Sequence, residues 1–138
     1  MRFIIITAIL ILGTGCASTK NTNAKTNLLN GTWTPVQQEF GGRTLPLTAF
    51  EKQKLIINDS AYTVIAESVD KGIVKHKDDK MDIYGKEGVN AGKHFTAIFK
   101  LENDQLTICY NLKGDAYPEA FDTKGKPLYF LSVFKRAQ

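Results

Sequence analysis

Residues Phe95 to Tyr110 read FTAIFKLENDQLTICY, and this stretch decides the fold. On each side of the central residues Glu102 to Asp104, apolar side chains recur at every second position, which is typical of a strand that buries one face. Asn and Asp tolerate the backbone conformations that tight turns require. The stretch therefore predicts two neighbouring antiparallel strands joined by a short turn.

The same alternation extends outward from this hairpin over most of the chain. Residues that favour turns separate the alternating runs, which are Thr32 to Phe40, Lys54 to Asn58, Tyr62 to Ala66, Ile73 to His76, Met81 to Tyr84, Phe95 to Leu101, Leu106 to Tyr110 and Tyr129 to Phe134. An up-and-down meander of about eight strands leaves two unpaired edges unless it closes on itself. We therefore predict an all-β fold, a small antiparallel up-and-down β-barrel of about eight strands, lipocalin-like, with one short helix over Leu47 to Gln53 between the first two strands.

The alternation also assigns each strand residue to a face of the barrel. The predicted inward set is Leu55, Ile57, Tyr62, Val64, Met81, Ile83, Phe95, Ala97, Phe99, Leu106, Ile108 and Tyr110. The outward set is mainly polar and contains Thr63, Asp82, Thr96, Lys100, Thr107 and Asn111. Five apolar residues also fall on the outside, namely Ile56, Ile65, Ile98, Phe130 and Phe134. Either the strand register slips in places, or part of the outer surface is covered.

The first residues do not belong to this pattern. Arg2 precedes an apolar run from Phe3 to Leu12, and small residues then lead into Cys16, which is the layout of an export signal. The run is too short for a membrane-spanning helix, which needs about 20 apolar residues. A cysteine directly after small residues resembles the lipobox of bacterial lipoproteins, although Gly13 stands where leucine is usual. In lipoproteins that cysteine carries the lipid and becomes the new N-terminus.

This resemblance divides the chain into three parts: a lipoprotein signal peptide at 1–15, a lipidated Cys16 with a flexible tether at 16–27, and the barrel domain at 28–138. It implies a membrane-anchored lipoprotein of the bacterial cell envelope, facing the periplasm or the cell surface. The alternative is an ordinary secretory signal cut near the same place, which leaves Cys16 as a free thiol. With Cys16 used by the anchor, Cys109 has no disulfide partner.

The net charge of +4 is spread along the chain and does not indicate nucleic-acid binding. We expect a monomer that meets the membrane through its anchor.

Gly31-Thr32-Trp33 stands at the head of the first strand. The tripeptide resembles the G-x-W signature of lipocalins and fatty-acid-binding proteins, in which the tryptophan closes the narrow end of the barrel. The lipocalin pattern also places a basic residue of the last strand across the indole. Lys135 and Arg136 are the candidates, and Arg136 is the better one because its planar guanidinium is less strongly hydrated than an ammonium group.

The chain also resembles a family of uncharacterised secreted bacterial proteins with a lipocalin-like domain. The matching segments are Leu29 to Trp33, Gly42 to Pro46, Gly92-Lys93, Ile98 to Leu101, Asp104 to Cys109, Pro118 to Phe121 and Lys135-Arg136. Tyr117 stands where that family has arginine, and Asp79 stands where it commonly has proline. The family has no established activity, so the resemblance implies the fold and leaves the function open.

Catalytic and metal-binding patterns are weak. The chain has two histidines, His76 and His94, too few for a typical transition-metal site, and its carboxylates cluster at turns. Cys109 lies in a strand interior without flanking charge, which favours a structural thiol over a nucleophile. We therefore expect no enzyme activity, no metal and no cofactor.

Two kinds of binding remain. In the first, a lipid or another small hydrophobic molecule occupies the barrel, and the candidate contacts are Tyr62, Val64, Phe95, Ala97, Phe99, Ile108 and Tyr110. The same side chains can instead fill a ligand-free interior. In the second, the barrel is a platform that binds or inhibits another envelope protein. The connection from Asn111 to Pro127 is the best candidate for that contact because it carries Tyr117 and Phe121, unless these rings pack over a barrel end.

Overall fold

The computed structural model describes residues 27–138, which contain nine strands and one 3-10 turn. The strands are β1 (Gly31–Phe40), β2 (Arg43–Thr44), β3 (Lys54–Asn58), β4 (Ala61–Ile65), β5 (Val69–Lys77), β6 (Lys80–Glu87), β7 (His94–Glu102), β8 (Gln105–Asn111) and β9 (Tyr129–Arg136). The predicted signal peptide, the lipid attachment at Cys16 and almost all of the predicted tether lie outside the described residues.

The strands form one antiparallel sheet that closes on itself. From β3 to β9 each strand pairs with the next, and β1 pairs with both β3 and β9. The seam between β1 and β9 runs from the Trp33–Arg136 pair to the Phe40–Phe130 pair. Strand β2 pairs only with the end of β1, so the barrel has eight strands. The predicted all-β, up-and-down barrel is confirmed.

The helix predicted over Leu47 to Gln53 is shorter than expected. Only Leu47–Ala49 forms a 3-10 turn, and no side chain caps its first turn at Pro46. A segment of this length gains too few hydrogen bonds to offset the cost of starting a helix.

The two ends of the barrel are built differently. At the end where β1 begins, tight turns join neighbouring strands, and Asp59, Asp78, Asn103 and Asp104 adopt positive φ angles there. We call this the closed end. Longer connections meet at the other end, the open end, at positions 41–53, 66–68, 88–93 and 112–128.

All of the predicted inward residues belong to the barrel core or pack against it. The core also contains Leu29, Trp33, Val74, Leu101 and Phe134. Phe134 pairs with Leu106, and Phe130 pairs with Tyr110. Directly paired residues share a face of the sheet, so both phenylalanines point inward and the outward assignment was a register slip.

Part of the outer face is covered as well. Ile98, Cys109 and Leu131 form a second buried cluster outside the barrel. Tyr117 and Phe121, from the connection between β8 and β9, pack against it. Both explanations for the apolar outer residues therefore apply, each to a different part of the sheet.

Candidate functional site

Trp33 fills the closed end of the barrel. Its side chain is fully buried, and its indole Nε1 donates a hydrogen bond to the Leu29 carbonyl at 2.8 Å. The guanidinium carbon of Arg136 lies 4.3 Å from the centre of the Trp33 ring. Arg136 also donates to the carbonyls of Asn30 at 2.7 Å and Leu28 at 3.1 Å. One arginine thus covers the indole and holds the chain segment that enters the barrel.

Gly31 is required by this arrangement. Its φ angle is +138°, and a Cβ atom at this position would lie 2.7 Å from Arg136 Nη1. Arg136 Nε also donates a hydrogen bond to Asp104 Oδ1 at 3.2 Å. This bond links the Trp33–Arg136 pair to the turn between β7 and β8. The other sequence candidate, Lys135, is exposed. Gly31 and Trp33 of the G-x-W tripeptide therefore both contact Arg136, the basic residue of the last strand.

A cavity of about 190 Å³ lies inside the barrel on the side of the open end. Its lining residues are Leu55, Ile57, Tyr62, Val64, Asp70, Val74, Met81, Ile83, Asn90, Phe95, Ile108, Tyr110, Leu112 and Phe130. Drug-sized ligands usually occupy about 300–1,000 Å³, whereas a cavity of about 150 Å³ holds a benzene molecule. The cavity thus suits a molecule with the bulk of one ring or a short alkyl chain.

Five of the seven predicted ligand contacts line this cavity: Tyr62, Val64, Phe95, Ile108 and Tyr110. Ala97 and Phe99 do not. Ala97 is fully buried between Met81 and Tyr110, its partners in the neighbouring strands, and these two larger side chains line the cavity instead. Phe99 lies further along β7 toward the closed end, where its ring meets the His76 ring at 5.6 Å. Both residues are on the inward face, and Phe99 lies nearer the closed end than the cavity does.

Sequence reasoning missed several lining residues, of which Asp70 matters most. Asp70, Lys71 and Gly72 fall between the predicted strands Tyr62 to Ala66 and Ile73 to His76, but they belong to β5 and pair with β4. Gly72 occurs inside the strand because a Cβ there would overlap the Tyr84 backbone carbonyl and lie 2.8 Å from the Tyr62 hydroxyl. Asp70 and Tyr62 therefore lie in neighbouring strands of the same cavity wall.

Four polar residues line this otherwise apolar cavity, namely Tyr62, Asp70, Asn90 and Tyr110. Asp70 is buried, and its Oδ1 accepts a hydrogen bond from the Asn90 backbone amide at 3.2 Å. Every fully buried polar side-chain atom of residues 27–138 has a hydrogen-bond partner. The Tyr62 and Tyr110 hydroxyls form no hydrogen bond to another described residue, and both tyrosines line the cavity.

Burial dominates the titration of both tyrosines. It raises the pKa of Tyr62, and the Asp70 carboxylate raises it further. Burial also raises the pKa of Tyr110, with a smaller contribution from Tyr62. Both hydroxyls are therefore neutral at physiological pH.

A second, smaller cavity of about 70 Å³ lies beside the first and shares Leu55, Val64, Tyr110 and Phe130 with it. It lies near the gap where β1 and β3 separate after their pairing at the closed end. Gln38 Nε2 spans this region, donating to Gln53 Oε1 at 3.0 Å and to Ser132 Oγ at 3.2 Å.

The connection between β8 and β9 docks onto the outer face of the barrel. The Tyr117 hydroxyl donates to Asp82 Oδ2 at 2.6 Å, and His94 Nε2 lies 2.8 Å from Asp82 Oδ1. Thr96 Oγ1 donates to the Ala116 carbonyl at 2.6 Å. Tyr117 and Phe121, which the sequence offered as contacts for a partner protein, are thus engaged within the domain.

Cys109 lies beneath this connection. Its side chain is fully buried, and burial raises the pKa of its thiol. The thiol is therefore protonated at neutral pH, whereas a nucleophile needs the thiolate.

No protein-family model matches the chain, and no curated protein gives a significant match. Among solved structures, the barrel is similar to an uncharacterized protein from Bacteroides eggerthii, with 11% sequence identity and a TM-score of 0.52. The alignment covers 79% of this chain and 99% of that one. At this identity the likeness shows a shared fold.

Within residues 27–138, no group of three or more metal-ligating side chains occurs. No helix in the same part of the chain is long and apolar enough to cross a membrane.

Proposed function

We propose that the protein is a non-catalytic, monomeric binding module that holds a small hydrophobic molecule inside its barrel and is anchored in the bacterial cell envelope through Cys16. The observation that carries the proposal is the internal apolar cavity of about 190 Å³, lined in part by two tyrosines whose hydroxyls form no hydrogen bond within residues 27–138. Apolar cavities with a few convergent polar groups are the usual form of a small-molecule site.

The size of the cavity supports a ligand. Protein interiors are close-packed, and an empty cavity destabilises the fold by about 24 cal/mol per Å³. A bound apolar molecule recovers much of that free energy by filling the space.

The open end offers a route for such a molecule. Most of the large apolar side chains that the described residues expose lie on strand ends or connections at the open end, namely Phe40, Leu47, Val69, Val89 and Leu128. The closed end is blocked by Trp33 and Arg136. An apolar ligand that approaches the open end therefore contacts these exposed apolar side chains before it enters the cavity.

The position of the tether agrees with this direction of entry. Asn27, the first described residue, donates a hydrogen bond from Nδ2 to the carbonyl of Asp59 at 3.0 Å, in a turn of the closed end. The described chain therefore begins at the closed end, opposite the open end. The protonated, buried thiol of Cys109 supports a role without nucleophilic catalysis.

Binding of benzyl alcohol to the purified protein tests the proposal, because this probe matches the cavity in size. In a two-dimensional NMR titration, we expect saturable shifts of resonances that line the cavity. Val64→Phe should abolish them by filling the cavity, whereas the matched control Ile65→Phe, on the outer face of the same strand, should not. Titration without any shift at the cavity would refute the proposed function.

A further inference from the structure

The charge that lines the cavity is negative only. Asp70 is the only charged residue that lines it, and no lysine, arginine or histidine of the described chain takes part in the lining. The nearest alternative, Lys54, lines only the smaller neighbouring cavity and is exposed. A ligand in the main cavity therefore meets a carboxylate without meeting a cation.

The Asp70 carboxylate keeps hydrogen-bonding capacity toward the cavity. An ionised carboxylate accepts about four hydrogen bonds, and Asp70 receives one from the Asn90 amide. The segment between β6 and β7 folds closely over it, since Gly88, with a φ angle of +88°, leaves no room for a side chain beside Asp70 Oδ1. Asp70 is thus only 7% exposed. A buried charge without compensation is costly, so a hydrogen-bond donor arriving from the cavity is stabilised.

The two tyrosines extend the same polar surface. Tyr62 pairs with Gly72, two residues along β5 from Asp70, and the Asp70 carboxylate acts on the Tyr62 hydroxyl. Tyr110 forms part of the opposite wall, where its ring stacks on Phe130 at 5.6 Å. Neutral hydroxyls accept hydrogen bonds from a donor, and aromatic faces attract a cation. Both properties favour a ligand whose polar group is a positively charged hydrogen-bond donor.

We propose that the ligand is a small organic amine, with an apolar body of about one ring and a protonated amino group bound by Asp70. This inference rests on the proposed function of the cavity as a ligand site. An anionic head, such as the carboxylate of a short fatty acid, would be buried beside Asp70 with no cation to compensate either charge. The neutral alcohol of the same size has the right shape but gains only a weaker hydrogen bond.

Three probes with the same ring and different polar groups distinguish a cationic, a neutral and an anionic ligand: benzylamine, benzyl alcohol and benzoate. Their affinities for the purified protein are measured by calorimetry at pH 7 and constant ionic strength. Hydrogen bonds to charged groups are stronger than those between neutral groups, so we expect benzylamine to bind about tenfold more tightly than benzyl alcohol. Benzoate should bind least.

Asp70→Asn keeps an oxygen acceptor for the Asn90 amide while it removes the charge. In this variant the affinity for benzylamine should fall to that for benzyl alcohol, whose own affinity should stay within about threefold of wild type. The matched control is Glu87→Gln, which removes an exposed negative charge at the same end of the barrel and should leave the ranking unchanged.

The outcomes distinguish this inference from the function on which it rests. If none of the three probes binds, the cavity is not a ligand site and both fall. If benzyl alcohol binds and benzylamine binds no more tightly, or if benzoate equals benzylamine, the amine inference is overturned and the binding function stands. The ranking in the wild-type protein decides this even if Asp70→Asn fails to fold.

Discussion

Arg136 pairs with Trp33 across the seam between β1 and β9, and its guanidinium carbon lies 4.3 Å from the centre of the indole ring. This pair joins the first barrel strand to the last at the point where the interior ends. The same two residues therefore form one end of the seam that closes the sheet and fill the closed end of the barrel.

Trp33→Ala should lower the free energy of unfolding by about 3–5 kcal/mol, because it empties a large buried site. Arg136→Ala should cost less, and the double variant should be less destabilised than the sum, since each change removes the same contact. Urea denaturation measures all three values. Lys135→Ala, the exposed neighbour, is the control and should have little effect. A fully additive double variant would show that the contact contributes nothing.

Asp82 should contribute to the loss of folding stability at acidic pH. Burial alone would raise the pKa of Asp82, but hydrogen bonds from Tyr117 and His94 and the charges of His94 and Lys75 lower it overall. A lowered pKa in the folded state stabilises the protein above the unfolded value, about 3.9, and this contribution is lost as the pH falls through the folded pKa. Asp82→Asn should therefore lose less stability than wild type between pH 6 and pH 3. Asp79→Asn, at an exposed turn, should behave like wild type.

Tyr117 offers a test of the resemblance to lipocalin-like secreted proteins, which have arginine at this position. The Tyr117 hydroxyl donates to Asp82 Oδ2, and a guanidinium at the same place can form a paired hydrogen bond with that carboxylate. Tyr117→Arg should have a higher Tm than Tyr117→Phe, which removes the donor. The reverse order would mean that the ring, rather than the hydrogen bond, holds the connection on the barrel.

Cys16 should carry the lipid anchor. Mass spectrometry of the N-terminal peptide from cells should find a diacylglyceryl cysteine at the start of the mature chain. Cys16→Ser should release the domain from the membrane fraction or block its processing. An unmodified Cys16, or a mature chain that begins elsewhere, would make the protein an ordinary secreted one.

The barrel itself could be predicted because alternation of apolar residues is a local property with a direct structural meaning. The inward face of β7 and β8 was assigned correctly from residues such as Phe95 and Ile108. Phe134 was misassigned because counting in a single strand does not give its register against β8, where it pairs with Leu106.

The cavity could be predicted only in part. Alternation tells which side of a strand a residue faces but not how far along the barrel it lies, so Phe99 was grouped with Phe95 although only Phe95 lines the cavity. Asp70 falls outside the predicted strands Tyr62 to Ala66 and Ile73 to His76, whereas pairing with Val64 places it in the sheet. Contacts between strands determine this site, and a single sequence does not show them.

A crystal structure of the protein soaked with benzylamine tests the central claim most directly. The account predicts one molecule inside the barrel, with its ring among Ile108, Tyr110 and Phe130 and its amino group within hydrogen-bond distance of Asp70. An interior filled by these side chains, with no density for the probe, would contradict it.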